Sequence, residues 1–205
     1  MTFFLTMAAV ALGGVVLLAL ATRTRLVQHL DDVLEEKAGP HRSYLRRAAG
    51  LATLTGEKFV HPVIAAMTAA TLYLTRPGPP LRYVFPLAGA SLGGIIAHHL
   101  VKFVYHRPRP LVALDRDKTE AAYPSGHTTN ATAVVATSAY ILVREGLVPL
   151  PLAAACVLGL CLATGVSRVA LGWHWSTDVL GGWMAGTGIA ALTCWGYEAA
   201  RIGLQ

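Results

Sequence analysis

Six long stretches of the chain contain no Asp, Glu, Lys or Arg: Thr2–Thr22, Phe59–Thr75, Tyr83–Val101, Ala121–Val143, Gly146–Ser167 and Val179–Tyr197. Each is close to the roughly 17–25 residues that carry an α-helix across the hydrocarbon core of a bilayer. A helix satisfies its own backbone hydrogen bonds, which lipid cannot do, so these runs are expected to be helical. The pattern predicts an all-α, polytopic membrane protein with six transmembrane helices. The second run is the shortest in apolar terms, because His61 and Pro62 interrupt its start. The first run has no basic residue in front of it, and Arg23 and Arg25 follow it instead. A cleaved signal peptide carries its charge first, so we read the run as a retained span.

Between the first two runs, residues 23–58 are polar and contain Asp31, Asp32, Glu35, Glu36 and Lys37, a Gly39-Pro40 break, and Arg42, Arg46 and Arg47. Leu26, Leu30, Val33 and Leu34 recur at helical spacing. An amphipathic helix lying in the membrane interface and a solvated connecting helix both fit that spacing. Proline-rich or charged turns separate the later spans, and residues 1–205 read as a single domain.

Composition agrees with the pattern. Charged residues are 14% of the chain and hydrophobic residues 54%, whereas a soluble domain carries about 25% charge. The formal net charge is +6, but the basic residues sit beside the spans rather than along one soluble face. Anionic lipid head groups or an anionic substrate account for them, and nucleic acid does not. Cys156, Cys161 and Cys194 all lie inside predicted spans with no zinc or redox spacing, and read as packing residues.

With six spans, the loops after spans one, three and five share one face, and two of them hold an unusual set of polar residues at membrane ends. Lys102, Arg107 and Arg109 follow span three, Ser125-Gly126-His127 opens span four, and Arg168, His174 and Asp178 lie between spans five and six. Lys102, Arg109 and Arg168 supply fixed positive charge. Arginine's planar fork matches phosphate oxygens in pairs, and lysine acts as a point charge. Ser125 and Gly126 stand where a helix begins, so free N–H groups and the helix dipole add to an anion site. His174 and Asp178 are four apart, one face of a helix, so the carboxylate can fix the imidazole tautomer and free the other nitrogen to attack. His127 stands at the edge of this cradle, placed to protonate a departing alkoxide.

These residues fall into three strings: Lys102-x6-Arg109-Pro110, Pro124-Ser125-Gly126-His127, and Ser167-Arg168-x5-His174-x3-Asp178. In this order they resemble the three signatures of the type 2 phosphatidic acid phosphatase (PAP2) family, which shares its site with vanadium haloperoxidases. The resemblance implies a PAP2-like helical core. It implies a phosphohistidine formed on His174, with Asp178 orienting it and His127 as proton donor. Lys102, Arg109, Ser125, Gly126 and Arg168 would bind the phosphoryl oxygens, with no metal and no cofactor. The short six-helix layout is similar to that of bacterial phosphatases acting on phosphatidylglycerophosphate or undecaprenyl pyrophosphate, and phosphatidic acid belongs to the same substrate class. The alternative is a protein that binds or carries lipid phosphate without hydrolysing it.

Several neighbours have two readings. His98 either lines the substrate cavity or packs between helices. Arg107 reaches a second phosphate or head group, or faces the membrane. Trp173 and Trp175 anchor at the lipid interface or shape the pocket mouth. Asp115, Asp117 and Glu120 read as a solvated loop. Bacterial relatives usually place the site outside the cytoplasm, whereas most of the seventeen Lys and Arg residues lie on the site's own face, which the positive-inside rule would put in the cytoplasm. Acidic residues partly neutralise the first loop, and we expect a cell-membrane protein with an extracytoplasmic site.

Overall fold

The computed structural model describes residues 1–38, 43–57, 59–76, 78–110 and 121–203, with only the backbone described at residues 38 and 43–46. Gly39, Pro40, Arg42, the Arg46 side chain, Pro77 and the acidic trio Asp115, Asp117 and Glu120 lie outside what is described. All regular structure among the described residues is helical: α1 (Thr2–Ala21), α2 (Arg25–Ala38), α3 (Ser43–Ala52), a 3-10 turn (Thr53–Gly56), α4 (Val60–Thr75), α5 (Leu81–Val104), α6 (Gly126–Arg144), α7 (Leu150–Ala170) and α8 (Ser176–Gly203). By length and composition, α1, α5 and α7 are able to cross a membrane, and α4 is a shorter apolar helix.

The remaining two long helices, α6 and α8, are more polar for a physical reason. They form the centre of the bundle, where α6 buries Thr128, Thr129, Thr132, Thr137 and Ser138. A helix enclosed by other helices need not match the polarity of lipid, and its hydroxyls can bond back to carbonyls or across to neighbours. Thr129 donates to the Ser125 carbonyl at 2.9 Å, and Thr137 meets Thr193 of α8 at 2.8 Å. The close approach depends on small residues spaced by four along α8, as in other membrane helix pairs. A Cβ on Gly186 would stand 2.5 Å from Thr132 Cβ and 2.6 Å from the Thr129 carbonyl oxygen.

Helix ends depart from the charge-free runs where a charge suits a helix terminus. Lys102 falls in the last turn of α5 and Arg168 in the last turn of α7, positions where the helix dipole favours cations. Conversely, α6 starts only at Gly126, with Ser125 as its N-cap. The preceding Tyr123-Pro124 bond is cis. This irregular stretch is anchored to α1, where the Tyr123 hydroxyl donates to the Val15 carbonyl at 2.6 Å.

The opposite end of the bundle is closed by ion pairs. Arg82 of α5 meets Glu145 just beyond α6 at 2.6 Å, and Glu145 also accepts from the Tyr197 hydroxyl of α8. Arg144 meets Glu198 of α8 at 2.7 Å. The polar segment after α1 is not uniformly superficial. Leu26, Leu30 and Leu34 of α2 are exposed along one stripe, but Asp31 on another face is 1% exposed.

Candidate active site

Helix ends α5, α6 and α7, together with the turn between α7 and α8, converge on one cavity of about 340 Å³. Six of the eight residues singled out from sequence line it: Lys102, Arg109, Gly126, His127, Arg168 and His174. The other two stand directly behind the wall. The Ser125 N–H donates to the Asp178 carbonyl at 3.0 Å and its hydroxyl accepts from Thr128 at 3.0 Å. The Ser125 side chain is fully buried, turned towards the bundle. Asp178 is also fully buried.

The three cations are held in different ways. Lys102 projects from the last turn of α5. Arg109 follows an irregular Pro-containing stretch and reaches the Trp173 carbonyl at 3.3 Å. Arg168 is 4% exposed, donates to the Thr53 hydroxyl at 2.6 Å, and lies over the Trp173 ring with its guanidinium carbon 4.2 Å from the ring centroid. Hydroxyl and ring fix the guanidinium plane, which pre-orients its donors. Trp173 therefore packs on a cavity cation. Trp175 donates its indole N–H to the Pro108 carbonyl at 2.9 Å. Trp173 thus supports the site through Arg168, and Trp175 braces the stretch that leads to Arg109.

His174 sits in the turn before α8, so it and Asp178 do not meet across one helical face as their spacing suggested. Its Nδ1 is 3.5 Å from Asp178 Oδ2 and makes no hydrogen bond. At that distance the contact is electrostatic. Asp178 is held elsewhere. Its Oδ2 accepts from the Trp175 N–H at 2.9 Å, closing the first turn of α8 in the manner of a capping box, and its Oδ1 accepts from Arg107 at 2.7 Å. Burial, with Arg168, Arg109 and Lys102 adding to it, holds the His174 imidazole well below its ordinary value of 6.5. The ring is accordingly neutral at physiological pH, the form in which a nitrogen lone pair can attack.

Arg107 corrects both sequence readings given for it. It is 7% exposed, touches neither the cavity nor lipid, and pairs with Asp31 at 2.6 Å and Asp178 at 2.7 Å. Burial works against its charge, yet the two carboxylates outweigh that and raise its pKa further. His98 resolves towards the cavity reading, since it lines the site and backs onto Gly126. A Cβ at Gly126 would lie 3.0 Å from the His98 ring.

Sequence reasoning missed the contribution of the 3-10 turn. Gly56 lines the cavity beside His127, Thr53 holds Arg168, and Glu57 Oε1 stands 3.8 Å from His127 Nε2. Nothing in a polar connecting segment distinguishes these residues from solvated ones. Among the described residues, no group of three or more His, Cys, Asp or Glu side chains is arranged to hold a metal ion. The arrangement can bind a tetrahedral anion among three cations and a helix N-terminus, offer it a neutral imidazole, and present a second imidazole at its edge.

The chain is similar to known proteins. The chain is 37% identical over 96 residues to "Undecaprenyl-diphosphatase BcrC" of Bacillus subtilis, a match covering 44% of this chain and 46% of that protein. It is 28% identical over 179 residues to "Phosphatidylglycerophosphatase B" of the same organism, covering 83% and 84%. The crystal structure of a transmembrane PAP2-type phosphatidylglycerolphosphate phosphatase from Bacillus subtilis superposes with a TM-score of 0.80 at 26% identity, covering 94% of this chain and 96% of that one. The profile of the PAP2 superfamily matches residues 80–202, more than half of the chain and all three motif strings, and the chain belongs to that family.

Proposed function

We propose that this protein is a membrane phosphatase that hydrolyses lipid phosphate monoesters or a terminal lipid pyrophosphate bond through a phosphohistidine intermediate. The observation that carries the reading is how the cation-lined cavity opens sideways. Ile95, His99 and Lys102 also line a second, largely apolar groove of about 600 Å³ that continues along α5 past Ile96, Leu100 and Phe103. A substrate with a charged head and a hydrocarbon tail fits both at once. Phosphatidylglycerophosphate, undecaprenyl pyrophosphate and phosphatidic acid are the candidates, the first two being suggested by the relatives' names.

In this reading Lys102, Arg109, Arg168 and the α6 N-terminus bind the phosphoryl oxygens, Gly126 letting them approach and Ser125, the N-cap residue, holding that terminus through its N–H bond to the Asp178 carbonyl. His174 attacks phosphorus as the P–O bond to the lipid breaks, and His127, entering the step protonated beside Glu57, gives that proton to the leaving oxygen and becomes neutral. Water then attacks the phosphohistidine, the P–N bond breaks, and His127 takes the proton back. Fixed cations supply the charge stabilisation that other phosphatases draw from metals, so turnover needs no divalent ion. We further place six helices across the bilayer, α1 and α4 to α8. We also place the site at the extracytoplasmic surface, with the leucine stripe of α2 seated in the interface.

The test is phosphate release by the detergent-purified protein with EDTA present, on the three lipids, beside His174→Ala. Turnover that survives EDTA and vanishes in the variant is expected, and the best lipid names the physiological class. Lipid transfer between vesicles that persists in His174→Ala, with no phosphate released by either protein, would establish the carrier reading instead.

A further inference from the structure

Helix α2 precedes the stretch that matches the family profile, yet one of its side chains is built into the rear of the site. Asp31 accepts from Arg107 Nη2 at 2.6 Å, from the Thr177 N–H at 3.0 Å and from the Thr177 hydroxyl at 2.5 Å. Arg107 in turn donates to Thr177 at 2.6 Å and to Asp178 Oδ1 at 2.7 Å, and its guanidinium stacks against Trp175. Both carboxylates and the guanidinium are almost wholly buried. Three charges in such a place cost more to desolvate than a well-packed apolar contact, so stability alone explains them poorly.

Their charge balance suggests why they are there. Arg107 paired with Asp178 alone would be neutral and would draw the Asp178 charge away from His174. Asp31 shares Arg107, and the trio carries one net negative charge, with His174 Nδ1 3.5 Å from its Asp178 Oδ2. When the P–N bond forms, His174 keeps its Nδ1 proton and the ring becomes cationic. A net negative group behind it stabilises that charge, while the three cations on the cavity side oppose it.

We infer that Asp31 is a positioning residue for phosphoryl transfer, acting through Arg107 to keep Asp178 oriented and the rear of His174 negative. This rests on the phosphohistidine reading above. It assigns α2 a part in the chemistry that its polar, mostly exposed sequence does not advertise.

The test compares wild type, Asp31→Asn and Asp31→Glu on phosphatidic acid in detergent, together with inhibition by inorganic phosphate and the thermal midpoint. Asparagine keeps the shape and removes the charge. Its expected signature is a fall in kcat of about 10- to 100-fold, by analogy with hydrogen-bond partners that orient metal-ligating histidines. KM and phosphate inhibition should stay within about two-fold, and glutamate should recover part of the loss. An unchanged kcat overturns the inference. So does a loss in which kcat, phosphate inhibition and thermal midpoint fall together, which would mark Asp31 as a structural clip. Should Asp31→Asn fail to fold, Arg107→Lys carries the question. It keeps the cation but replaces the planar fork that reaches Asp31, Thr177 and Asp178 at once with a compact point charge, and a wild-type kcat in that variant overturns the inference. Activity remaining in His174→Ala would remove the underlying mechanism, whereas an inactive His174→Ala beside a fully active Asp31→Asn removes this inference alone.

Discussion

Arg168 is where a single side chain shows how the site is prepared in advance. Its guanidinium is gripped between the Thr53 hydroxyl and the face of Trp173, so the ordering entropy of a long side chain is met on folding and not on substrate binding. Arg168→Lys keeps the charge and loses the fork and the stack. Hydrogen bonds to charged groups contribute about 1.5–3 kcal/mol, so kcat/KM should fall about 10- to 100-fold, and the thermal midpoint should fall as well because the Thr53 bond and the Trp173 stack are weakened, as steady-state kinetics and thermal unfolding in detergent would show. His174 adds a pH signature. Its folded-state pKa lies well below 6.5, so below about pH 6.5 the unfolded chain takes up a proton that the folded protein refuses. Stability contributed by the neutral ring is therefore complete above that pH and declines as the pH falls through it. Thermal midpoints between pH 5 and 7 should fall more steeply with acid in the wild type than in His174→Gln, and parallel curves would remove the argument. At this scale the sequence was partly readable. Cations and imidazoles gathered in short motifs announce phosphate chemistry, whereas Arg107 and Arg109 stand two apart in a proline-interrupted stretch with no periodicity to separate them. Only the fold reveals that one faces the cavity and the other a pair of buried carboxylates.

Helices were legible because lipid excludes charge, and a charge-free run of sufficient length leaves a helix as the simple outcome. What such runs cannot express is which helix is central. The threonines and serines of α6 look like a weaker membrane segment, and they are polar because other helices enclose them. The α6–α8 contact makes a prediction of opposite signs at two glycines of the same helix. Gly186→Val would press new atoms against Thr132 and the Thr129 carbonyl, a backbone group that cannot step aside, and overpacking of this kind costs about 1–3 kcal/mol. Gly196→Ala meets nothing within 4 Å and removes a flexible residue from a helix interior, which stabilises by roughly 0.5–1 kcal/mol. Thermal unfolding in detergent should therefore show a lower midpoint for the first variant and an equal or higher one for the second. Asp31, Thr53 and Glu57 were unreadable for the converse reason. In an amphipathic connecting segment every polar residue has the same default, exposure to water, and only tertiary contact singles out the three that serve the site.

For the molecule as a whole, orientation is the property with the most direct test. Positive charge on the site's face argues for the cytoplasm, but Lys102, Arg109 and Arg168 serve the cavity and Arg107 is neutralised by Asp31 and Asp178. Four of the cations on that face are thereby spoken for before any topological role. With Cys156 replaced by alanine, a cysteine at the exposed position of Glu36 should react with a membrane-impermeant maleimide in intact cells. Protection until the membrane is opened would put the site inside. The location of Thr53, Gly56 and Asp31 has a different consequence. The groups proposed to bond to phosphorus or to its oxygens lie within residues 80–202, the stretch that matches the family. One rim of the cavity and the brace behind it come instead from the first 57 residues. Change around Gly56 can therefore recut the opening for a new lipid only while Asp31 and Thr53 stay in place, and a lineage that keeps this brace can change its diet without reinventing its chemistry.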